Sequence, residues 1–594
     1  MSTIKPLPVP RAEADSALFT DADLPRVRVW LSALPGANPH TCGQELAEIL
    51  HATNRAPLRR IHRLQLAEAL RRTVYETCEA LARRYSRKPL PLSPEEETLS
   101  QLVRQLYAEL ANGYKLAANA IAERPALGAA ERKQYQLAAQ RGLLVLGREL
   151  LESYRVYAPE EPGLWPDLHQ LYFNAEQHRL QASPIEGQPD AEETSLSIKQ
   201  AYLRAVILAL SNPYHLALGE AEELYRRIGR WVHFVRLTIP ETPRQQLGRF
   251  LVDLDSDLPP RFATRQHRQL PARNPRALEL DELVRVLRDQ VAQMDAAIAR
   301  HNSSQTFSDR MQRDMYQRFA GALGGRQERY SERQPTLAKL RMIDGLSGCH
   351  YMLNDAREFI PERDEDRWRE RITETQAPAP ALELAASDSY LSTPQGGDQR
   401  QSHFRAHDAE ADDIWGKPHR VEPEPPRSKP AFANYRAEVW SRKNQSDGGM
   451  ALFCPSNCRT RTRVGEIVAW TESPIPQPPG TAWRVGVIRW LRTRPRGGVE
   501  VGIQKLAETA YAAGCKAVSG PGIGAEYLRA LVLPRVNPLV EPATLVTPAG
   551  VFDTGSVLRL SLQDLVVTVE LVERLETTRQ FTRFRFRPRQ TLYQ

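Results

Sequence analysis

Apolar residues recur at helical spacing through much of the first 240 residues. In Leu58 to Leu70 they fall on one face of a 3.6-residue repeat, and the pattern runs on toward Ala82. Leu99 to Ile121, Tyr135 to Tyr157 and Ser195 to Leu210 repeat the style. Pro89, Pro125, Pro162 and Pro213 punctuate these runs, and Ser93-Pro-Glu-Glu is a helix start with an N-cap Ser and Pro at the first position. The pattern therefore predicts a multi-helix region from about Asp23 to Arg236. It fits a solenoid of helix pairs or a compact bundle, although no repeat consensus at a fixed period stands out. The region serves either as a protein-binding scaffold or as a purely structural core.

The pattern then changes. Trp231 to Leu237 and Arg249 to Leu254 read as extended, so a short β insert is expected near 231–255. Residues 278–300 return to helix, with Leu283, Val284, Val286, Leu287, Val291 and Met294 on one side. Thr336 to Ile343 reads as a strand, Asp344 to Gly348 as a turn and Cys349 to Leu353 as a second short strand. From Thr373 to Pro430 the chain is rich in Pro, Ala, Ser, Gln, Asp and Glu and poor in aliphatics. Such a stretch buries too little apolar surface to offset its ordering entropy, and a disordered segment is expected there.

Beyond it the period is two. Tyr435 to Lys443 and Met450 to Phe453 flank Asn444-Gln-Ser-Asp-Gly-Gly449, a strand, tight turn, strand pattern. Val464 to Trp470, Trp483 to Leu491 and Val499 to Leu506 are further strands, the last two joined at Arg496-Gly-Gly498. Five more are expected at Tyr527 to Pro534, Ala543 to Thr547, Ser556 to Leu562, Leu565 to Leu571 and Gln580 to Phe586.

Composition narrows the function classes. The 594 residues suit several domains, and 41% hydrophobic with 26% charged residues is globular. No apolar run approaches the roughly 20 residues of a membrane span, and Met1 to Pro10 has no signal-peptide apolar core, so a cytoplasmic location is expected. The net charge of +8 is spread over interleaved charges and includes no aromatic-studded basic block, which makes nucleic acid an unlikely partner. Arg583, Arg585, Arg587 and Arg589 form one basic strand face, suited to a phosphate or to protecting a sheet edge. Six cysteines are too sparse for a disulfide scaffold. Cys454-Pro-Ser-Asn-Cys458 lacks the second pair of a zinc site, so reduced cysteines in a loop are expected. His233 and the other scattered histidines read as structural. No Walker loop, H-E-x-x-H or G-x-S-x-G is present, and Gly520 to Gly524 is a plain turn, so no catalytic residue, metal site or cofactor is expected.

The order N-x-S-x-x-G at Asn444, Ser446 and Gly449, then V-G-E-x-V from Val464, W-R-V-G-V-I-R-W from Trp483 and V-E-V-G-I-Q from Val499 resembles the PilZ domain, the bacterial receptor module for cyclic di-GMP. The resemblance covers roughly Tyr435 to Leu506. It implies an R-x-x-x-R pair leading into the first barrel strand, and none lies between Gln395 and Asn444. The pair Arg329/Arg333, just before the strand at Thr336, fills that role if an insertion splits the barrel. The same spacing recurs at Arg59/Arg63, Arg261/Arg265, Arg363/Arg367, Arg459/Arg463 and Arg492/Arg496, so position alone singles it out, against a surface pair in a connector.

The expected fold is multidomain α+β: an all-α N-terminal region, a PilZ-like antiparallel β-barrel and a second small β-unit. The expected division is a flexible lead-in at 1–20, the helical region at 21–320, the start of the barrel with its arginine motif at 324–354, a disordered insertion at 356–430, the barrel at 431–510 and the C-terminal β-unit at 511–594. The resemblance implies that Arg329 and Arg333 hold cyclic di-GMP, with Asn444 and Ser446 at the strand edge, Gly449 permitting close approach and Arg326 adding charge. It implies an effector whose helical region couples the nucleotide to a protein partner in pilus, motility or surface-attachment control. Two rivals stand beside it: a nucleotide-independent PilZ-like scaffold, and a nucleic-acid binder using the basic β-face.

Overall fold

The computed structural model describes residues 5–13, 24–123, 127–183, 185, 196–264, 272–300, 305–325, 334–357, 359–360, 435–455, 460–472, 482–495, 497–522, 526–534, 543–562 and 565–589. Two compact units emerge. One is 1–332 with 454–464 and 489–501; the other is 333–453 with 465–488 and 502–594.

The first unit is mainly helical. It contains α1 (Leu24–Ala33), α2 (Pro39–Arg55), α3 (Arg60–Ala82), α4 (Pro94–Ala122), α5 (Ala129–Arg155), α6 (Leu164–Gln177), α7 (Ile198–Leu210) and α8 (Glu220–Trp231). Ser93 starts α4 with a full capping box: its hydroxyl accepts from the Glu96 N–H, and Glu96 accepts from the Ser93 N–H. Ser197 does the same for α7 with Gln200. The helix α5 packs against α4, α6, α7 and α8 and is buried along most of its length from Tyr135.

So central a helix carries charges that must be paired. Arg155 donates to Glu152 at 2.6 Å and to Glu222 at 2.9 Å, while Tyr85 donates to Glu152. Arg141 sits 3.3 Å from Glu68. Lys115 meets Asp167 at 2.5 Å, with Glu149 buried nearby.

A four-stranded sheet follows, with β1 (Arg236–Thr238), the short helix α9 (Pro243–Gln246), β2 (Phe250–Asp253), β3 (Arg261–Phe262) and β4 (Pro275–Glu279). Its order is β1-β4-β2-β3. Trp231 to Phe234 is the end of α8 and a 3-10 turn rather than a strand, because Trp231 and Val232 bury into the helical core. Two helices then pair, α10 (Asp281–Arg300) and α11 (Gln305–Leu323), and α11 stacks Phe319 on Trp231. Within this unit Leu90 and Thr462 exchange backbone hydrogen bonds of 2.8 and 2.7 Å, and the Thr493 N–H donates to the Tyr157 carbonyl at 2.9 Å.

The strands that follow form two closed six-stranded barrels. The first is built from β5 (Gln334–Asp344), β6 (Glu438–Ser446), β7 (Gly449–Cys454), β8 (Ile467–Thr471), β9 (Arg484–Thr493) and β10 (Val499–Ala507), in the order β10-β7-β6-β5-β8-β9. Strand β5 lies between β6 and β8 although residues 361–434, outside the described residues, separate it from β6 in the chain. Between them comes α12 (Leu346–Leu353). Cys349 to Leu353 is therefore helical, not a strand. The helix packs on β5 and β8 of one barrel and β11 and β12 of the other, a position that buries both Cys349 and His350. Burial, reinforced by Arg529, pushes the His350 imidazole down to about 4.

The second barrel comprises β11 (Tyr511–Ser519), β12 (Leu528–Leu533), β13 (Thr544–Pro548), β14 (Val557–Leu562), β15 (Leu565–Thr577) and β16 (Phe581–Pro588), ordered β11-β12-β13-β16-β15-β14. Strand β11 had no counterpart in the pattern, because Ala512-Ala-Gly-Cys-Lys-Ala517 is short of large apolar residues. The basic strand β16 lies between β13 and β15, so protection of a sheet edge is ruled out for it. Arg585 pairs with Glu573, and Arg587 and Arg589 with Glu570. The barrels share a core of Ile467, Trp483, Val485, Leu531, Val546 and Phe581.

Four cysteines, Cys42, Cys78, Cys349 and Cys515, are free and buried. Cys454 is disulfide-bonded, a correction to the reduced thiol expected there. Cys458 lies outside the described residues.

Candidate functional site

Strands β6 and β7 form a hairpin with only Asp447 and Gly448 in its turn, since Ser446 and Gly449 are already register partners. The strands thus run further than the pattern suggested, and Asn444 and Ser446 lie on β6. Lys443 is skipped in the register between Arg442 and Asn444. That bulge re-aims the side chains next to it.

Gly449 is required by packing. A Cβ there would lie 2.2 Å from the Ile503 carbonyl oxygen and 3.3 Å from the Gln504 Cα of β10. Its own carbonyl accepts from the Ser446 hydroxyl at 3.3 Å. The side-chain oxygen of Asn444 is buried without a hydrogen-bond partner among the described residues.

The start of β5 meets this turn. Gln334 is the register partner of Gln445, and Pro335 that of Asn444. Arg326, Arg329 and Arg333 lie outside the described residues; Gln334 follows Arg333 directly in the chain. The rest of the expected set, Asn444, Ser446 and Gly449, falls within six residues at one hairpin end.

Ser446 and Gly449 open onto a small cleft of about 70 Å³. Arg442 and Gln445 line it from β6, and Trp470 and Glu472 come from the end of β8. Arg484 of β9, Lys505 of β10 and Glu508 complete the wall. Pairing sets this geometry, because Trp470 and Arg484 are register partners. A line of ion pairs crosses the cleft: Arg442 to Glu472 at 2.8 Å, Arg484 to Glu472 at 3.3 Å, Arg484 to Glu508 at 2.8 Å and Lys505 to Glu508 at 2.6 Å. The Lys505 hydrogen bond, helped by Arg484, holds the Glu508 carboxyl below the usual range.

Sequence reasoning missed Arg442, Trp470, Glu472, Arg484, Lys505 and Glu508. A weak signal existed, since Arg442 and Asn444 are two apart on β6, but the cross-strand neighbours carry no such mark. Chemically the cleft offers guanidinium forks, an ammonium, hydroxyl and amide groups and an indole. That set suits a phosphorylated, aromatic ligand.

Comparison with known proteins agrees with this architecture. Residues 25–243 match the model described as the N-terminal domain of the cyclic-di-GMP receptor FimW. Residues 249–511 match its middle PilZ domain, and 513–589 its C-terminal beta-barrel domain. The chain is 25% identical to the cyclic-di-GMP receptor FimW of Pseudomonas aeruginosa, over 98% of this chain and 93% of that protein. No solved structure gives a significant match. The three matches follow one another in order between residue 25 and residue 589, and the middle one shows a PilZ domain over residues 249–511, the stretch that contains the first barrel.

Proposed function

We propose that this protein is a cyclic di-GMP receptor that acts as an effector. The observation that carries the reading is the register of β5 on β6. It puts Gln334 and Pro335, the residues after Arg333, opposite Gln445 and Asn444. Gln334, the next residue in the chain after Arg333, thus stands beside the N-x-S-x-x-G turn, although residues 361–434 separate β5 from β6 in the chain.

Within this reading Arg329 and Arg333 take the phosphates or the guanine O6/N7 edge, with Arg326 adding positive charge. Their forks present parallel donors to either acceptor pair. The unpartnered Asn444 oxygen accepts from a guanine N–H, and Ser446 offers its hydroxyl. Gly449 keeps the turn tight against β10.

The protein works by binding and needs no catalytic group, metal or cofactor. We place it in the cytoplasm, with the helical unit engaging a protein partner in pilus, motility or surface-attachment control. Coupling requires that cyclic di-GMP bind two states of the protein with different affinity. Among the described residues no helix is long and apolar enough to cross a membrane.

The test is calorimetric titration of the full chain with cyclic di-GMP, beside Arg329→Ala, Arg333→Ala and Ser446→Ala. Wild-type binding lost in all three variants is the expected result. Binding that survives the arginine changes but not Ser446→Ala moves the arginine motif elsewhere. No wild-type binding at high micromolar nucleotide refutes the receptor and leaves the scaffold.

A further inference from the structure

The charges around the cleft satisfy one another. From β6 across β8 and β9 to the end of β10 they alternate in sign: Arg442, Glu472, Arg484, Glu508, Lys505. The two carboxylates stand at the rim, 44% and 48% exposed, and Arg442 is set deep at 9%. Two further groups point to a ligand. The Arg442 Nε and the Trp470 indole N–H are buried and have no hydrogen-bond partner among the described residues. Both residues line the cleft.

A guanidinium fork accepts a carboxylate or a phosphate in the same geometry. Glu472 and a ligand phosphate therefore compete for the same N–H groups. Exposed ion pairs are weak, and the rim glutamates can swing into water at little cost.

We propose that Arg442, Arg484 and Lys505 are phosphate-contacting residues, and that Glu472 and Glu508 are displaceable counter-ions occupying them in the free protein and weakening nucleotide binding. The inference rests on the cyclic di-GMP reading above and adds to it a second, opposed set of charges. The glutamates set a threshold: a doubly charged dinucleotide displaces both, while cations already neutralised hold few stray anions from solution.

The experiment is calorimetric titration of full-length protein with cyclic di-GMP at several salt concentrations. The variants are Glu472→Gln, Glu508→Gln, the double glutamine variant, Arg484→Gln and Lys505→Gln. These side chains are partly exposed, and the glutamine changes preserve shape. Each single glutamine variant is expected to bind about 2- to 5-fold tighter, and the two cation variants more weakly by a similar factor. The salt slope should steepen in the double variant, because its freed cations gather solution anions that the nucleotide must release. A double variant that binds equally or more weakly, with the wild-type slope, overturns the proposal. A wild type that binds no cyclic di-GMP removes the receptor reading itself, a different result from wild-type binding that the glutamine changes leave untouched.

Discussion

Replacing Gly449 by Ala tests the barrel and the site together. The new Cβ would stand 2.2 Å from the Ile503 oxygen and 3.2 Å from its carbonyl carbon. Ordinary contact needs about 3.5 Å, so β7 and β10 must part by about 1 Å. Both are interior strands of a closed barrel, and the obstacle is backbone rather than a side chain that can turn away. Overpacking of this kind costs about 1–3 kcal/mol, or a fall of about 3–10 °C in melting temperature for a unit of this size. The displaced turn also breaks the Ser446 hydroxyl contact to the Gly449 carbonyl. Nucleotide affinity should drop about 2- to 10-fold. Gly448 is the control, because a Cβ there has nothing within 4 Å. Scanning calorimetry of wild type, Gly448→Ala and Gly449→Ala, followed by cyclic di-GMP titration, is the assay. Gly449→Ala melting within about 1 °C of Gly448→Ala refutes the reasoning.

Other predictions concern the helical unit. Ser93→Ala removes one arm of the α4 capping box and should cost about 1 kcal/mol in denaturant unfolding. Burial pushes the Glu96 carboxyl up, but hydrogen bonds from Lys88 and Ser93 outweigh it, and its folded pKa lies below 4.5. Its contribution is full above that value and disappears as pH falls through the folded pKa, so the Ser93→Ala deficit should shrink in acid. Glu149 behaves oppositely: burial, with Glu161 adding, raises it from 4.5 to about 8. The folded state holds that proton longer, so stability declines from pH 4.5 to about 8 by at most about 1.4 kcal/mol per pH unit. Glu149→Gln should flatten that limb in urea melts taken across the range, and an unchanged slope would assign it to other groups. Arg276→Met strands the Glu176 carboxylate that it grips with two donors, Nε at 3.2 Å and Nη2, and should cost about 3 kcal/mol. A cost below about 1 kcal/mol would show that water reaches Glu176.

Much of this protein is local in origin. The 3.6-residue repeat from Leu58, the Ser93-Pro-Glu-Glu start and the two-residue period around Asn444 to Gly449 state their elements in the chain itself, because each residue's face depends only on backbone geometry. The hairpin that carries Asn444, Ser446 and Gly449 was legible for that reason. Pairing between distant strands was not. A five-residue, largely apolar run at Cys349 to Leu353 is compatible with strand or helix, and its place against both barrels made it part of α12. The Ala-rich β11 shows too little pattern to be recognised, and it is held by β12 and β14. The basic row at Arg583 to Arg589 suggested an edge, and the topology put β16 inside a closed barrel with Glu570 and Glu573 as partners. The cleft shows the same division. Arg442, Trp470, Arg484 and Lys505 come from four strands, and only the closure and register of the barrel set them side by side. Periodicity specifies which way a side chain points; which distant side chain it meets depends on strand order and register, and those are decided when the whole barrel closes its hydrogen bonds and its core together.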